Sequence, residues 1–202
     1  MLRLYDYLDS GNGYKVRLLL SQLDIDYERI ELDIDKGETR TAEFMAKNPN
    51  GRVPTLQLDD GTFLAESNAI MFYLAEGTPY LPFDRLGRAQ VLQWLFFEQY
   101  SHEPNIATVR YWIKHKVEAT PYVSAAMEVK RKAGYAALDV MERHLKRREF
   151  FVAERYSIAD IALYAYTHVA HEVGFDLKPY PAIRGWMDLV ALQENHVTIH
   201  QK

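Results

Sequence analysis

Asn50-Gly51-Arg52-Val53-Pro54-Thr55-Leu56, followed after about a dozen residues by Glu66-Ser67-Asn68-Ala69-Ile70, decides how this chain folds. Pro54 has no N–H, so it sits poorly inside a central strand but well at a strand entrance. There it holds Val53 extended, with the backbone groups of Val53 facing outward. A cis Val53–Pro54 bond is expected, because X–Pro is where cis bonds occur. Glu66 and Ser67 open a helix, whose free N–H groups and dipole favour an anion. Taken singly, the two stretches are a turn before a strand and a helix cap. In this order and spacing they describe a site for a small peptide, with its backbone on Val53 and its carboxylate on Ser67.

Outward from these stretches the first part of the chain mixes periods. Leu2 to Tyr7 alternates as a strand, Gly13 to Leu23 carries Val16, Leu19, Leu20 and Leu23 on one helical face, and Tyr27 to Leu32 alternates again. Glu38 to Lys47 is polar and helical. Thr55 to Leu58 and Thr62 to Leu64 form a hairpin around Asp59-Asp60-Gly61, and a helix runs from Glu66 to Ala75. Gly77, Pro79 and Pro82 then mark a break. Everything after it has helical period: Leu86 to Val117 with an interruption at Pro104, Tyr122 to Lys146, Ser157 to His171, and Ala182 to Gln193. An α/β part thus precedes an all-helical part.

The 202 residues include 48% hydrophobic and 26% charged side chains, enough to build ordinary globular cores. A net charge of −4 gives no basic surface for nucleic acid. No apolar run is long enough for a bilayer, and Met1 leads at once into a strand, so a cytoplasmic protein without signal peptide or membrane contact is expected. The chain has 0 cysteines, which removes disulfides, thiolate metal sites and any cysteine nucleophile. His102, Glu103 and His115 match no compact metal signature, and no metal is expected. Ser157-Ile158-Ala159-Asp160 has the spacing of a capping box, not of a catalytic pair.

Four stretches carry a resemblance: Ser10-Gly11-Asn12-Gly13-Tyr14-Lys15-Val16-Arg17, Asn48-Pro49-Asn50-Gly51-Arg52-Val53-Pro54, Glu66-Ser67-Asn68-Ala69-Ile70 and Ser157-Ile158-Ala159-Asp160. In this order, on this element pattern, the chain resembles the cytosolic glutathione transferase superfamily over essentially its whole length. Its start is similar to that of the bacterial serine- and cysteine-type members. The resemblance implies a thioredoxin-like glutathione-binding domain over residues 1–77, a linker over 78–85, and an all-helical domain over 86–202 that lines an electrophile pocket. It also implies a homodimer, with glutathione as co-substrate and a small hydrophobic electrophile as the second substrate.

A free thiol, with a pKa of about 8.5, is mostly protonated at neutral pH. A hydroxyl donor and a helix N-terminus beside the sulfur favour the thiolate. By the resemblance Ser10 supplies that hydroxyl, with Asn12 as a second donor and Tyr5 or Tyr7 as further alternatives; Ser10 and Asn12 also suit a helix cap. Val53, with Pro54, takes the cysteinyl backbone in strand fashion. Arg52 meets a carboxylate, Glu66 the γ-glutamyl ammonium and Ser67 the γ-glutamyl carboxylate. Tyr7, Tyr100, Arg110 and Tyr111 are assigned to the electrophile pocket. Where similar bacterial sequences carry a cysteine in the first turn this chain has Gly13, which closes a mixed-disulfide route through the protein's own sulfur. The expected activity is thiolate transfer. A glutathione-dependent isomerase or dehalogenase, and a non-catalytic transferase-like binding module, are the alternatives.

Overall fold

In the computed structural model, which describes residues 1–201, the chain divides into two compact units. One comprises Met1–Thr78 together with the chain from Gln193 onward; the other is Pro79–Leu192.

The first unit is built on four strands, β1 (Leu2–Asp6), β2 (Tyr27–Glu31), β3 (Thr55–Gln57) and β4 (Phe63–Ala65), in the order β2-β1-β3-β4. β1 runs parallel to β2 and antiparallel to β3, and β3 runs antiparallel to β4. The register sets Leu4 opposite Leu56 and Leu56 opposite Leu64, so one face carries a row of leucines. Against that face pack α1 (Gly11–Gln22) and α3 (Ser67–Leu74): Leu4, Val16, Leu20, Leu56 and Ile70 form a fully buried cluster. The parallel β1–β2 pair needs a crossover, which α1 supplies. The polar stretch after β2 becomes a short 3-10 turn, Glu38–Arg40, and then α2 (Ala42–Lys47), capped by Thr41, whose Oγ1 accepts the Phe44 N–H. This is a thioredoxin-like arrangement.

The unit also holds the end of the chain. Residues 86–202 read as one helical part in the sequence, yet the segment after Gln193 hydrogen-bonds to α1. Tyr14 donates to the Val197 carbonyl (2.8 Å), Ser21 to that of Asn195 (2.9 Å), and Arg17 to those of Ile199 (2.9 Å) and Gln201 (3.0 Å). These contacts join residues far apart in sequence, and no local pattern announces them.

The second unit is helical: α4 (Arg85–Phe97), α5 (Glu103–Lys114), α6 (Pro121–Leu145), α7 (Ile158–Thr167) and α8 (Pro181–Ala191). Pro104 cannot continue an α-helical ladder. The chain meets it with a π-type turn over Glu98–His102, in which the Glu103 N–H bonds back to the Glu98 carbonyl. The capping box at Ser157 is present as expected, and Asp160 does more than cap. Its carboxylate accepts the Ser157 N–H (2.9 Å), the Phe151 N–H (3.1 Å) and the Trp186 Nε1–H (3.0 Å). Complete burial pushes this carboxyl up to about 7 against the pull of those donors. Among the described residues, no helix is long and apolar enough to cross a membrane.

Candidate functional site at the N-termini of α1 and α3

The turn between β1 and α1 closes with the Ser10 N–H on the Tyr7 carbonyl (2.8 Å). Ser10 is extended and caps α1, its Oγ accepting the Gly13 N–H at 3.1 Å. A hydroxyl has two lone pairs and one proton. Capping uses a lone pair, so it is compatible with the same hydroxyl donating to an anion at the helix end.

Asn12 lies one turn ahead of Lys15 on the same side of α1. Its Oδ1 accepts from the Lys15 ammonium at 2.8 Å and from the Ser67 hydroxyl at 3.3 Å. These two donors assign the carboxamide: oxygen toward Lys15 and Ser67, nitrogen facing away from them. Lys15 Nζ also stands 3.5 Å from Ser67 Oγ. Lys15 is 0% exposed and Ser67 is buried, so a closed polar triad, Asn12–Lys15–Ser67, ties the N-terminus of α1 to that of α3. The sequence reading brought Asn12 and Ser67 to one site but missed Lys15. The available signal is a cation set in α1 directly before the apolar run Val16 to Leu20 that only Arg17 interrupts, on a helix with almost no exposed face.

Glu66, just before α3, is exposed and holds φ 66° and ψ 110°, a conformation costly for a side-chain-bearing residue. Such strain, of about 1–3 kcal/mol, persists where the surroundings impose it, and it clusters at ligand sites. The proline loop is braced from below. Buried Asn48 donates from Nδ2 to the Arg52 carbonyl (2.8 Å) and Thr55 Oγ1 (3.0 Å), and Arg40 bonds the Asn50 carbonyl (2.9 Å). Gly51 has φ 61°, and a Cβ there would lie 2.6 Å from Arg40 Nη1 and 2.9 Å from the Thr39 carbonyl. The Val53–Pro54 bond is cis, as the sequence leads one to expect. Val53 is half-buried and Arg52 exposed.

Behind α1, fully buried Asp6 faces Arg17, with Oδ2 2.9 Å from Nε. Burial pushes the Asp6 carboxyl up to about 6, with the Arg17 charge the largest opposing influence. A Cβ on Gly13 would fall 1.7 Å from Asp6 Oδ1. Tyr5 is a packing residue: its ring contacts Phe44 and Phe63, the Lys47 ammonium lies over it, and its hydroxyl reaches Gln57 at 3.3 Å. Tyr7 is half-buried. Its phenol is pushed up by burial first and then by the charges of Asp9, Asp35, Asp33 and Glu31.

In the helical unit, Tyr100 is 87% exposed, and exposed Tyr111 stacks on His115 at 4.3 Å. Arg110 is buried and committed to Glu172, Nε to Oε2 at 3.2 Å. His102 is buried against Thr167, Nε2 to Oγ1 at 2.9 Å. Trp94 belongs to the core, packed on Phe97, His144 and Phe151.

A thioredoxin-like unit with a cis-proline loop beside two helix N-termini, followed by a helical unit, defines the architectural class. Residues 1–76 match the family model described as the N-terminal domain of glutathione S-transferase, and residues 124–189 match its C-terminal domain. The chain belongs to the glutathione S-transferase superfamily. It is 50% identical to a glutathione S-transferase from Pseudomonas fluorescens Pf-5 of known crystal structure, with a TM-score of 0.96 and coverage of 99% of each chain. It is 30% identical to the disulfide-bond oxidoreductase YfcG of Escherichia coli K12, over 94% of this chain and 90% of that protein. The structure of Ure2p in complex with glutathione is 26% identical, with a TM-score of 0.87, over 96% of this chain and 90% of that one. Of the full-length yeast Ure2 proteins the chain spans 55–64%.

Proposed function

We propose that the protein is a glutathione transferase in which Ser10 and Asn12 stabilise the glutathione thiolate for attack on a small hydrophobic electrophile. The observation that carries this reading is the triad, which turns the Asn12 amide nitrogen away from Lys15 and Ser67 at the same helix end that Ser10 caps. The thiol proton leaves to solvent. The sulfur then forms a bond to the electrophilic carbon, and the leaving group departs with its electron pair. Glutathione lies with its cysteinyl backbone on Val53 beside Pro54, its γ-glutamyl carboxylate on Ser67 and the α3 N-terminus, and its ammonium on Glu66. Arg52 faces its remaining carboxylate. The glutathione bound in the Ure2p structure supports this ligand. Arg110, assigned to the electrophile pocket from the sequence, is instead the ion-pair partner of Glu172.

Ser10→Ala and Asn12→Ala should each raise the apparent pKa of bound glutathione by about one unit, equivalent to about 1.4 kcal/mol. The loss of rate at neutral pH, at most about tenfold, should shrink as pH rises, because alkali restores the thiolate without the protein. Ultraviolet absorbance of the thiolate in the complex reads this directly. Unchanged titrations in both variants would sink the assignment.

The identity to a disulfide-bond oxidoreductase favours one second reading. With 0 cysteines in the chain, the attacking sulfur must be that of glutathione. The bound thiolate attacks a disulfide, one new S–S bond forms, and a thiolate leaves. Parallel turnover of alkyl or aryl halides and of small disulfides separates the two.

The homodimer is supported by apolar side chains left exposed along α4 and the turn after it: Leu86, Leu92, Phe96 and Tyr100, with Phe96 71% exposed. Sedimentation equilibrium should show a dimer, weakened by about 2 kcal/mol in Phe96→Lys. A monomeric parent protein would refute it.

A further inference from the structure

We propose that Lys15 is a positioning residue that makes Asn12 a stronger donor to the glutathione sulfur, coupling the carboxylate end of the site to its sulfur end. This rests on Asn12 acting as a thiolate donor. Lys15 is 0% exposed, and its ammonium donates to Asn12 Oδ1 at 2.8 Å. It therefore acts on a ligand through its neighbours. A cation on the oxygen of a carboxamide draws electron density from the nitrogen, and the N–H donors at the other end become more acidic. Hydrogen bonds in such a chain strengthen one another, and a charged donor makes the stronger bond.

The same ammonium stands 3.5 Å from Ser67 Oγ, and the Ser67 hydroxyl donates to the same Oδ1 at 3.3 Å. Asn12 is thus held in one orientation by two donors from two helices, which also removes the alternative in which its oxygen faces the sulfur and repels a thiolate. A carboxylate on Ser67 competes for the Ser67 hydroxyl. Lys15 is then the donor that still holds the Asn12 oxygen, so the amide keeps its direction when the site fills.

The test is the thiolate titration of the glutathione complex in Lys15→Met, Lys15→Gln, Asn12→Ala and the double variant Lys15→Met/Asn12→Ala, with folding checked by circular dichroism. Lys15→Met should raise the thiol pKa by about half a unit to one unit, lowering the thiolate-to-thiol ratio of the bound peptide about threefold to tenfold. Lys15→Gln, which keeps a neutral donor, should fall between parent and Lys15→Met. In the Asn12→Ala background, Lys15→Met should add little further shift, because the group through which it acts is gone. A shift in Asn12→Ala with none in folded Lys15→Met or Lys15→Gln would overturn the proposal and leave Asn12 as donor. No shift in Asn12→Ala would overturn both. Fully additive shifts would show that Lys15 does not act through Asn12. Should Lys15→Met fail to fold, Lys15→Gln carries the decision.

Discussion

Replacing Gly13 by alanine should destabilise the thioredoxin-like unit by about 3–5 kcal/mol, the cost of breaking a buried ion pair. Helix propensity alone predicts the opposite sign, since glycine to alanine inside a helix ordinarily gains about 0.8–1.0 kcal/mol. Packing decides the matter. A Cβ at Gly13 would fall 1.7 Å from Asp6 Oδ1 and 2.6 Å from its Cγ. Asp6 is short, fully buried and held by Arg17 at 2.9 Å, so it can withdraw only by giving up its partner. Urea unfolding of Gly13→Ala measures the loss. Asp6→Ala removes the obstruction, so Gly13→Ala should cost far less in that background than alone. A Gly13→Ala variant as stable as the parent would contradict the packing described. A cysteine places its Cβ at the same point. The Asp6–Arg17 pair therefore gives a physical reason for glycine, and against a cysteine, at this position.

What the sequence revealed was local. The alternation of Leu2 to Tyr7, the hairpin around Gly61, the Ser157–Asp160 capping box and the proline loop each depend on residues within a few positions of one another, and each appears in the structure. The pairing of Ser67 with the first turn was accessible because a family pattern links the two stretches. The rest depends on contacts made at long range. The apolar run after Lys15 hints at its burial, but nothing near it in sequence names Ser67 as its neighbour, or shows that Arg17 will face Asp6 while binding the carbonyls of Ile199 and Gln201. Arg110 illustrates the same limit. On a helical wheel it belongs to an aromatic run and suits a pocket, but Glu172, 62 positions later, takes its guanidinium. Buried charges are the features most dependent on the finished fold, since each is tolerated only once its partner is in place. At the π-type turn the interruption by Pro104 was legible, but its form was not, because a kink, a break and an extra residue all satisfy a proline.

Arg17→Met should cost about 3–5 kcal/mol at neutral pH, with the loss larger at pH 8 than at pH 5. Arg17 has two roles that the pH dependence separates. Its Nη1 and Nη2 donate to the carbonyls of Ile199, Gln201 and Leu8, a contribution independent of pH across this range. Its Nε faces Asp6, whose carboxyl is raised from an ordinary 3.8 to about 6 by burial, against the pull of Arg17. Between those two values the folded protein holds a proton that the unfolded chain has released. The stability this group contributes is therefore fully present below about 3.8 and is lost as pH rises through about 6. Without Arg17 the carboxyl is raised further, so the window of loss extends upward and the variant suffers most where the parent's Asp6 is ionised. Below that window both proteins carry a neutral Asp6, and the difference reduces to the lost carbonyl contacts and packing. Chemical denaturation of both proteins across this pH range measures the gap. A gap that stays constant would show that Asp6 is not its source, and a negligible gap would show that the α1–tail contacts do not hold the unit together. Limited proteolysis adds an independent reading: the segment after Gln193 should become cleavable in Arg17→Met before the rest of the unit does, because α1 side chains bond four of its carbonyls and Arg17 itself bonds two of those.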